Sequence, residues 1–251
     1  MILLRANGPA YDRGRAQAGA APAAAVHRAT AGRVEQARAE GLLDSAALDY
    51  LAAQRAFHLT HDPEGMAELR GIADAFGLAE CELFAHQHLG TLRDMKGGAV
   101  LIEGCSAWAV GQGPEGPLVV KNRDYSGEHL GVQSVLRHTG PDIRTGEMLS
   151  LGSLGSLAAW SSGINGAGLA VADTQVSVNR HRVGWLRYFL LPRLLAQAAT
   201  VAEALALIRS LPHAGGGTLV MADRAGATAA VELSAAGPAI AEGGPQWRTN
   251  H

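Results

Sequence analysis

The sequence predicts an α+β fold built in layers, and three features predict it. Up to about residue 100 the chain is rich in Ala, Arg and Glu, with apolar residues at helical spacing. After Cys105 the texture changes to short alternating runs divided by Gly and Pro turns, the mark of antiparallel strands. Two helical stretches then interrupt the strands before strand-like sequence resumes, and helices lodged between blocks of strands cover a sheet face.

Residues 1–9 read as a short strand. Residues 12–39 are helical, with Pro22 bending or restarting the helix because its ring removes a donor and crowds the preceding turn. Residues 45–58 form a second helix with Ser45 as N-cap. Pro63, whose fixed φ suits a first turn, opens a third helix over 63–77, and 80–89 makes a fourth. Lys96-Gly97-Gly98 is a linker into the apolar Val100-Leu101-Ile102. Strands are expected at 106–111, 117–122, 132–138, 147–151, 157–162 and 168–176. Helices follow at 185–198 and 200–210, the second opened by the capping box Thr200-Val201-Ala202-Glu203. Strands return at 218–223 and 228–234.

A chain of 251 residues, 47% of them hydrophobic, can bury a core as one large domain or two small ones. Its net charge of −2, with signs interspersed, offers no basic face to nucleic acid and no polybasic patch to a membrane. The apolar run at Met1-Ile2-Leu3-Leu4 is too short for a signal peptide, and no stretch approaches the ~20 apolar residues of a membrane span. A cytoplasmic, reduced setting is expected, which suits a free thiol. With two cysteines there is no disulfide framework to read.

Gly104-Cys105-Ser106 stands where the two textures meet, and Lys121-Asn122-Arg123-Asp124 begins sixteen residues after the cysteine. The turn Gly113-Pro114-Glu115-Gly116-Pro117 makes 106–121 a hairpin, which brings Cys105 and Asp124 together. Gly104 has no Cβ and leaves its carbonyl open to attack by the adjoining thiol. Scission of the Gly104–Cys105 bond would make Cys105 a new N-terminus with both a nucleophile and a base. A free thiol titrates near ~8.5 and an α-amine near ~7.7–8.0, so the amine can take the thiol proton without a histidine. Asp124 is a candidate to orient that amine, and donors for an oxyanion must come from elsewhere. The plainer alternative is a structural Cys beside a turn Asp.

Other features carry less chemistry. His86-Gln87-His88 points its rings to different sides of a helix, so solvent-facing or interface histidines are expected rather than a metal pair. His58 and His61 could share a helix face, with Asp62-Pro63 ending that helix. Gly215-Gly216-Gly217 lacks the Lys-Ser/Thr of a phosphate loop and reads as a turn. Cys81, among acids, reads as packing, and Asn165 as a hairpin-turn residue. Trp108, Tyr125 and Trp160 could line an acyl pocket, though each reads first as core. No metal or cofactor is expected. A histidine-dependent cysteine hydrolase would draw on His129, His138 or His213.

The motifs, in order, resemble a known family. Glu103-Gly104-Cys105-Ser106-Ala107-Trp108-Ala109-Val110, then Lys121-Asn122-Arg123-Asp124-Tyr125, are similar to the processing site and following strand of acyl-coenzyme A:6-aminopenicillanic acid acyltransferases. These are N-terminal-nucleophile (Ntn) hydrolases, related more distantly to bile salt hydrolases and penicillin V acylase. Tyr11-Asp12-Arg13-Gly14-Arg15 resembles the family's opening helix and Glu68-Leu69-Arg70-Gly71-Ile72-Ala73 its prosegment helix. Ser162-Gly163-Ile164-Asn165-Gly166, Met221-Ala222-Asp223-Arg224 and Trp247-Arg248-Thr249-Asn250-His251 resemble later segments.

The resemblance implies an αββα sandwich, with a largely helical prosegment, 1–104, cut from a nucleophile-bearing part, 105–251, that is short at its C-terminal end. Cys105 would be nucleophile and self-cleavage residue at Gly104, Asp124 would hold the new α-amino group, and Asn250 would give its NH₂ to the oxyanion. Lys121, Arg123, Tyr125 and Gln175 would be substrate-binding; Arg123 departs from the aromatic or apolar residue usual before the Asp. The implied activity is hydrolysis or transfer of an acyl group at a small-molecule amide through a thioester. Its partners would be that amide or acyl donor and the two self-cleaved chains, held together, with a possible homo-oligomer and no nucleic acid or membrane. The alternative is an inactive or truncated member that binds a ligand or serves an assembly.

Overall fold

The computed structural model describes residues 1–97, 104–124, 127–157 and 161–250. β1 (Ile2–Asn7) is followed by α1 (Ala10–Arg15), α2 (Ala23–Ala29), α3 (Ala31–Ala39), α4 (Ser45–His61), α5 (Pro63–Phe76) and α6 (Glu80–Met95). The hairpin β2 (Gly104–Gly113) and β3 (Gly116–Asp124) leads through a 3₁₀ turn at Gly127–His129 into β4 (Gln133–Thr139), β5 (Met148–Ser153), β6 (Ser162–Asn165) and β7 (Ala170–Thr174). Then come α7 (Arg187–Gln197), α8 (Val201–Ser210), β8 (Thr218–Ala222), β9 (Thr228–Glu232), β10 (Ala239–Glu242) and β11 (Gln246–Arg248).

α5 shows how local sequence sets an element. Pro63 occupies the first turn, the Asp62 side chain accepts from the Gly65 N–H at 3.3 Å, and Met66, Leu69, Ile72 and Phe76 recur at helical spacing and are buried. Burying each such side chain contributes ~1.5–3 kcal/mol. α1 crosses α5 at backbone contact. A Cβ at Gly71 would lie 2.1 Å from the Tyr11 carbonyl oxygen, and one at Gly14 would lie 2.2 Å from that of Glu68. Only glycine fits either crossing point.

The strands form two sheets. One has the order β1-β4-β5-β6-β7-β8-β9-β10, the other β11-β2-β3. β8 shows how they stack: Leu219 and Met221 join the core under the helices, whereas Val220 and Ala222 meet Ala107, Ala109, Ala172 and Ala230 between the sheets. Those small side chains let the small sheet lie close on the large one. Helices, large sheet and small sheet are thus three successive layers of an α+β structure, and Trp108, Leu118 and Trp247 are exposed on the small sheet's outer face.

The first residues belong to the same sheet as the rest. β1 pairs in parallel with β4, Ile2 opposite Ser134 through Asn7 opposite Thr139. Arg13, 2% exposed, grips both carboxylate oxygens of Asp142 at 2.6 Å, and Gln17 accepts from Gly155 N–H at 2.9 Å. Residues 1–97 therefore do not pack as a separate unit.

Some expectations differ. The helix over 12–39 is three pieces, broken at Thr30 as well as at Pro22. The strand expected over 157–162 begins only at Ser162, with 158–160 outside the described residues, and β10 and β11 were not anticipated.

Candidate active site

The β2–β3 hairpin fixes the start of the site. Cys105 lies opposite Arg123 and Gly104 opposite Asp124, the proximity that the turn chemistry predicted. β11 runs antiparallel on the other side of β2, Arg248 opposite Ala107, which carries the chain on to Asn250 beside Cys105. The Asn250 side-chain oxygen accepts the Cys105 N–H, and its NH₂ donates to the Gln175 carbonyl at 2.5 Å. An N–H needs an acceptor and a carbonyl needs a donor, so one orientation of the amide satisfies both. One N–H of the NH₂ that the resemblance assigned to an oxyanion goes to the Gln175 carbonyl, and the amide has a second.

Half-buried Cys105 lines a pocket with Arg33, Gly90, Arg93, Lys121, Arg123, Asp124, Asp173, Gln175, Arg187 and Asn250. The cavity is about 90 Å³, less than the ~150 Å³ that accommodates benzene. α6 forms one wall through His86, Gln87, Leu89, Gly90 and Arg93, and α3 adds Arg33.

Beneath the pocket lies a buried charge cluster. Asp173 accepts from Lys121 Nζ at 3.0 Å through one carboxylate oxygen and from Arg187 Nε at 2.6 Å through the other. Burial pushes the Asp173 carboxyl up, but Lys121 and Arg187 outweigh it and hold the pKa below the ordinary range. Arg187 also donates to the Gln175 side-chain oxygen and to Tyr188 Oη at 2.5 Å. Burial opposes the charge on Arg187, while Tyr188 and Asp173 favour it, and its pKa is raised.

The structure brings Gly104, Cys105, Asp124, Asn250, Lys121, Arg123 and Gln175 to this one place. Among the described residues no hydrogen bond joins Asp124 to Cys105; Asn250 has the Cys105 nitrogen. Arg123 donates to Ser153 Oγ at 3.3 Å. Tyr125 and Trp160 lie outside the described residues, and Trp108 faces outward at 40% exposed, away from the pocket.

One histidine expectation is corrected. His86 and His88 are buried, not solvent-facing, because α6 is covered on several sides. His129, His138 and His213 do not line the pocket and bond instead to Ser153 Oγ at 2.9 Å, Ser150 Oγ at 2.9 Å and the Ile208 carbonyl at 2.8 Å. Cys81, expected as packing, is exposed in the first turn of α6. Among the described residues no cluster of His, Cys, Asp and Glu could hold a metal, and no helix is long and apolar enough to cross a membrane.

Sequence reasoning missed Asp173 and Arg187. Asp173 sits in an alternating strand and Arg187 at a helix start, and only tertiary packing unites them.

The family model for acyl-coenzyme A:6-aminopenicillanic acid acyl-transferase matches residues 111–251 of this chain. No curated protein matches it. Among solved structures, penicillin V acylase from Agrobacterium tumefaciens is 18% identical with a TM-score of 0.30, over 56% of this chain and 41% of that one. A mutant conjugated bile acid hydrolase from Clostridium perfringens is 12% identical with a TM-score of 0.33, over 59% of this chain and 45% of that one. The chain thus spans less than half the length of these structures.

Proposed function

The chain belongs to the acyl-coenzyme A:6-aminopenicillanic acid acyl-transferase family, and from that premise we propose that it is a self-processing Ntn enzyme acting on small-molecule amides. The observation that carries this reading is the Asn250 oxygen on the Cys105 nitrogen, beside a thiol that lines a charged pocket.

In the maturation step the Cys105 sulfur bonds to the Gly104 carbonyl carbon, the Gly104–Cys105 C–N bond breaks, and the thiol proton passes to the departing nitrogen. Water then hydrolyses the thioester, leaving a Gly104 carboxylate and a free Cys105 thiol and amine. In turnover the amine takes the thiol proton, sulfur attacks the substrate carbonyl, and the proton goes on to the leaving amine. Water or a second amine releases the acyl group. Asn250 holds the Cys105 nitrogen, and Asp124, opposite Gly104, supplies a carboxylate beside the new terminus. Residues 1–104 stay attached after the cut, since α3 and α6 form pocket walls.

Intact mass tests the proposal: a fragment ending at Gly104 and one starting at Cys105 are expected, with Cys105→Ala remaining one chain. Wild-type protein that stays whole yet turns over amides would refute it. A second reading, a ligand-binding or assembly member without catalysis, is favoured by the family match beginning at residue 111, after Cys105. A thiol-directed acyl probe separates the two: an enzyme labels at Cys105 in preference to exposed Cys81.

A further inference from the structure

The buried cluster under the pocket holds two cations and one anion. Lys121 and Asp173 side chains are 5% and 6% exposed and that of Arg187 is 5%, so water does little to screen them. Asp173 is the carboxylate partner of both cations among the described residues, and the other groups that Arg187 touches, Gln175 and Tyr188, are neutral. Burial raises the Tyr188 pKa and keeps its hydroxyl protonated. The cluster therefore carries one surplus positive charge in a low-dielectric setting, an arrangement that costs stability unless an anion comes to it. Cys105 lines the same pocket as Lys121, Asp173 and Arg187.

The triple glycine that reads as a plain turn has a place here. Gly217 has φ +81°, and a Cβ on it would lie 2.6 Å from Arg187 Nη1, 2.7 Å from Cδ and 3.0 Å from Cζ. The guanidinium rests on the bare backbone of Gly217, where no other residue leaves room. Nε is held by Asp173, and both Nη2 hydrogens go to Gln175 and Tyr188. Nη1 has no hydrogen-bond partner among the described residues and retains its two donors.

We propose that Arg187, seated on Gly217 and anchored by Asp173, supplies the counter-charge for the negative charge that gathers on the Cys105 sulfur and the substrate oxygen during acyl transfer. The proposal rests on Cys105 being the nucleophile. In the step concerned, the S–H bond breaks with its proton going to the Cys105 amine, and the sulfur electron pair forms the bond to carbon. The carbonyl π pair moves to oxygen, and Arg187 faces that charge without giving up a proton.

The test uses alkylation as a probe of local potential, independent of amide turnover. Wild type, Arg187→Met, Arg187→Lys and Gly217→Ala are treated with anionic iodoacetate and neutral iodoacetamide. The rate ratio at Cys105 is read by peptide mass spectrometry against exposed Cys81 in the same chain. Wild type is expected to favour iodoacetate at Cys105, Arg187→Met to lower that ratio by ~10-fold, and Arg187→Lys to keep it within about twofold while losing turnover. Gly217→Ala, which displaces the guanidinium without removing it, should fall between. If Arg187→Met does not fold, the Lys and Gly217→Ala variants carry the comparison. An unchanged ratio in a folded Arg187→Met or Gly217→Ala variant, or no alkylation of Cys105 by either reagent, overturns the proposal. Failure of the underlying reading looks different: Cys105→Ala would then keep its amidase activity while the ratio in wild type stayed high.

Discussion

The side-chain oxygen of Asn250 accepts the backbone N–H of Cys105, a residue 145 positions earlier, while its NH₂ donates to the Gln175 carbonyl. One amide thereby fixes the start of β2 against the loop after β7. It holds the atom that would become the terminal amine.

Asn250→Ala should slow cleavage at Gly104 by ~10²-fold, because the scissile nitrogen loses the group that positions it. Time-resolved intact mass of freshly made protein reads the rate. Processing at wild-type speed would remove Asn250 from the mechanism.

Asp173→Asn leaves Lys121 and Arg187 buried with their shared carboxylate gone. A loss of ~3–5 kcal/mol in stability is expected, measured as a lower urea midpoint at constant slope. A change under 1 kcal/mol would mean the cluster reaches water.

Acid should destabilise the fold through its buried histidines. Burial lowers the pKa of His88 to about 4 and of His129 and His138 to about 3. Unfolded histidines take up protons near ~6.5. The stability from that gap is therefore complete above pH ~6.5 and drains as pH falls toward 3. In urea midpoints from pH 7 to 4, His138→Gln should reduce the slope by about one proton; an unaltered slope rejects the assignment.

Asp62 acts in the opposite sense. Burial raises its carboxyl to about 7, so its contribution is complete below the unfolded value of ~3.9 and is lost as pH rises through 7. Asn also caps helices. Asp62→Asn should stabilise the protein at pH 8 more than at pH 5, and equal shifts at both would contradict this.

Gly71→Ala should cost ~1–3 kcal/mol, since the new methyl would sit 2.1 Å from the Tyr11 carbonyl. Thermal melting decides, and a native midpoint would show that α1 can move off α5.

What could be read ahead of the structure was local. The hairpin with Cys105 and Asp124 at its open end follows from five turn residues and two apolar runs. Helix α5 follows from Pro63 and its apolar spacing. Asn165 sits at the β6–β7 turn as expected, yet its NH₂ also bonds the Leu195 and Ala198 carbonyls at 2.8 and 2.7 Å, ties that no turn rule contains. Residues far apart in sequence hid the rest. Arg187 and Asp173 look like ordinary polar residues until α7 docks, and His86 looks like a surface residue until α3 covers it. β11 is too short to show an alternation, yet it delivers Asn250.

Because β1 is hydrogen-bonded into the eight-stranded ladder beside β4, a cut before Cys105 would turn one polypeptide into two that share a sheet. Neither piece could depart without opening that ladder. Denaturation of the mature pair would then become a dissociation, dependent on concentration and hard to reverse, whereas the uncut precursor would refold as a single molecule.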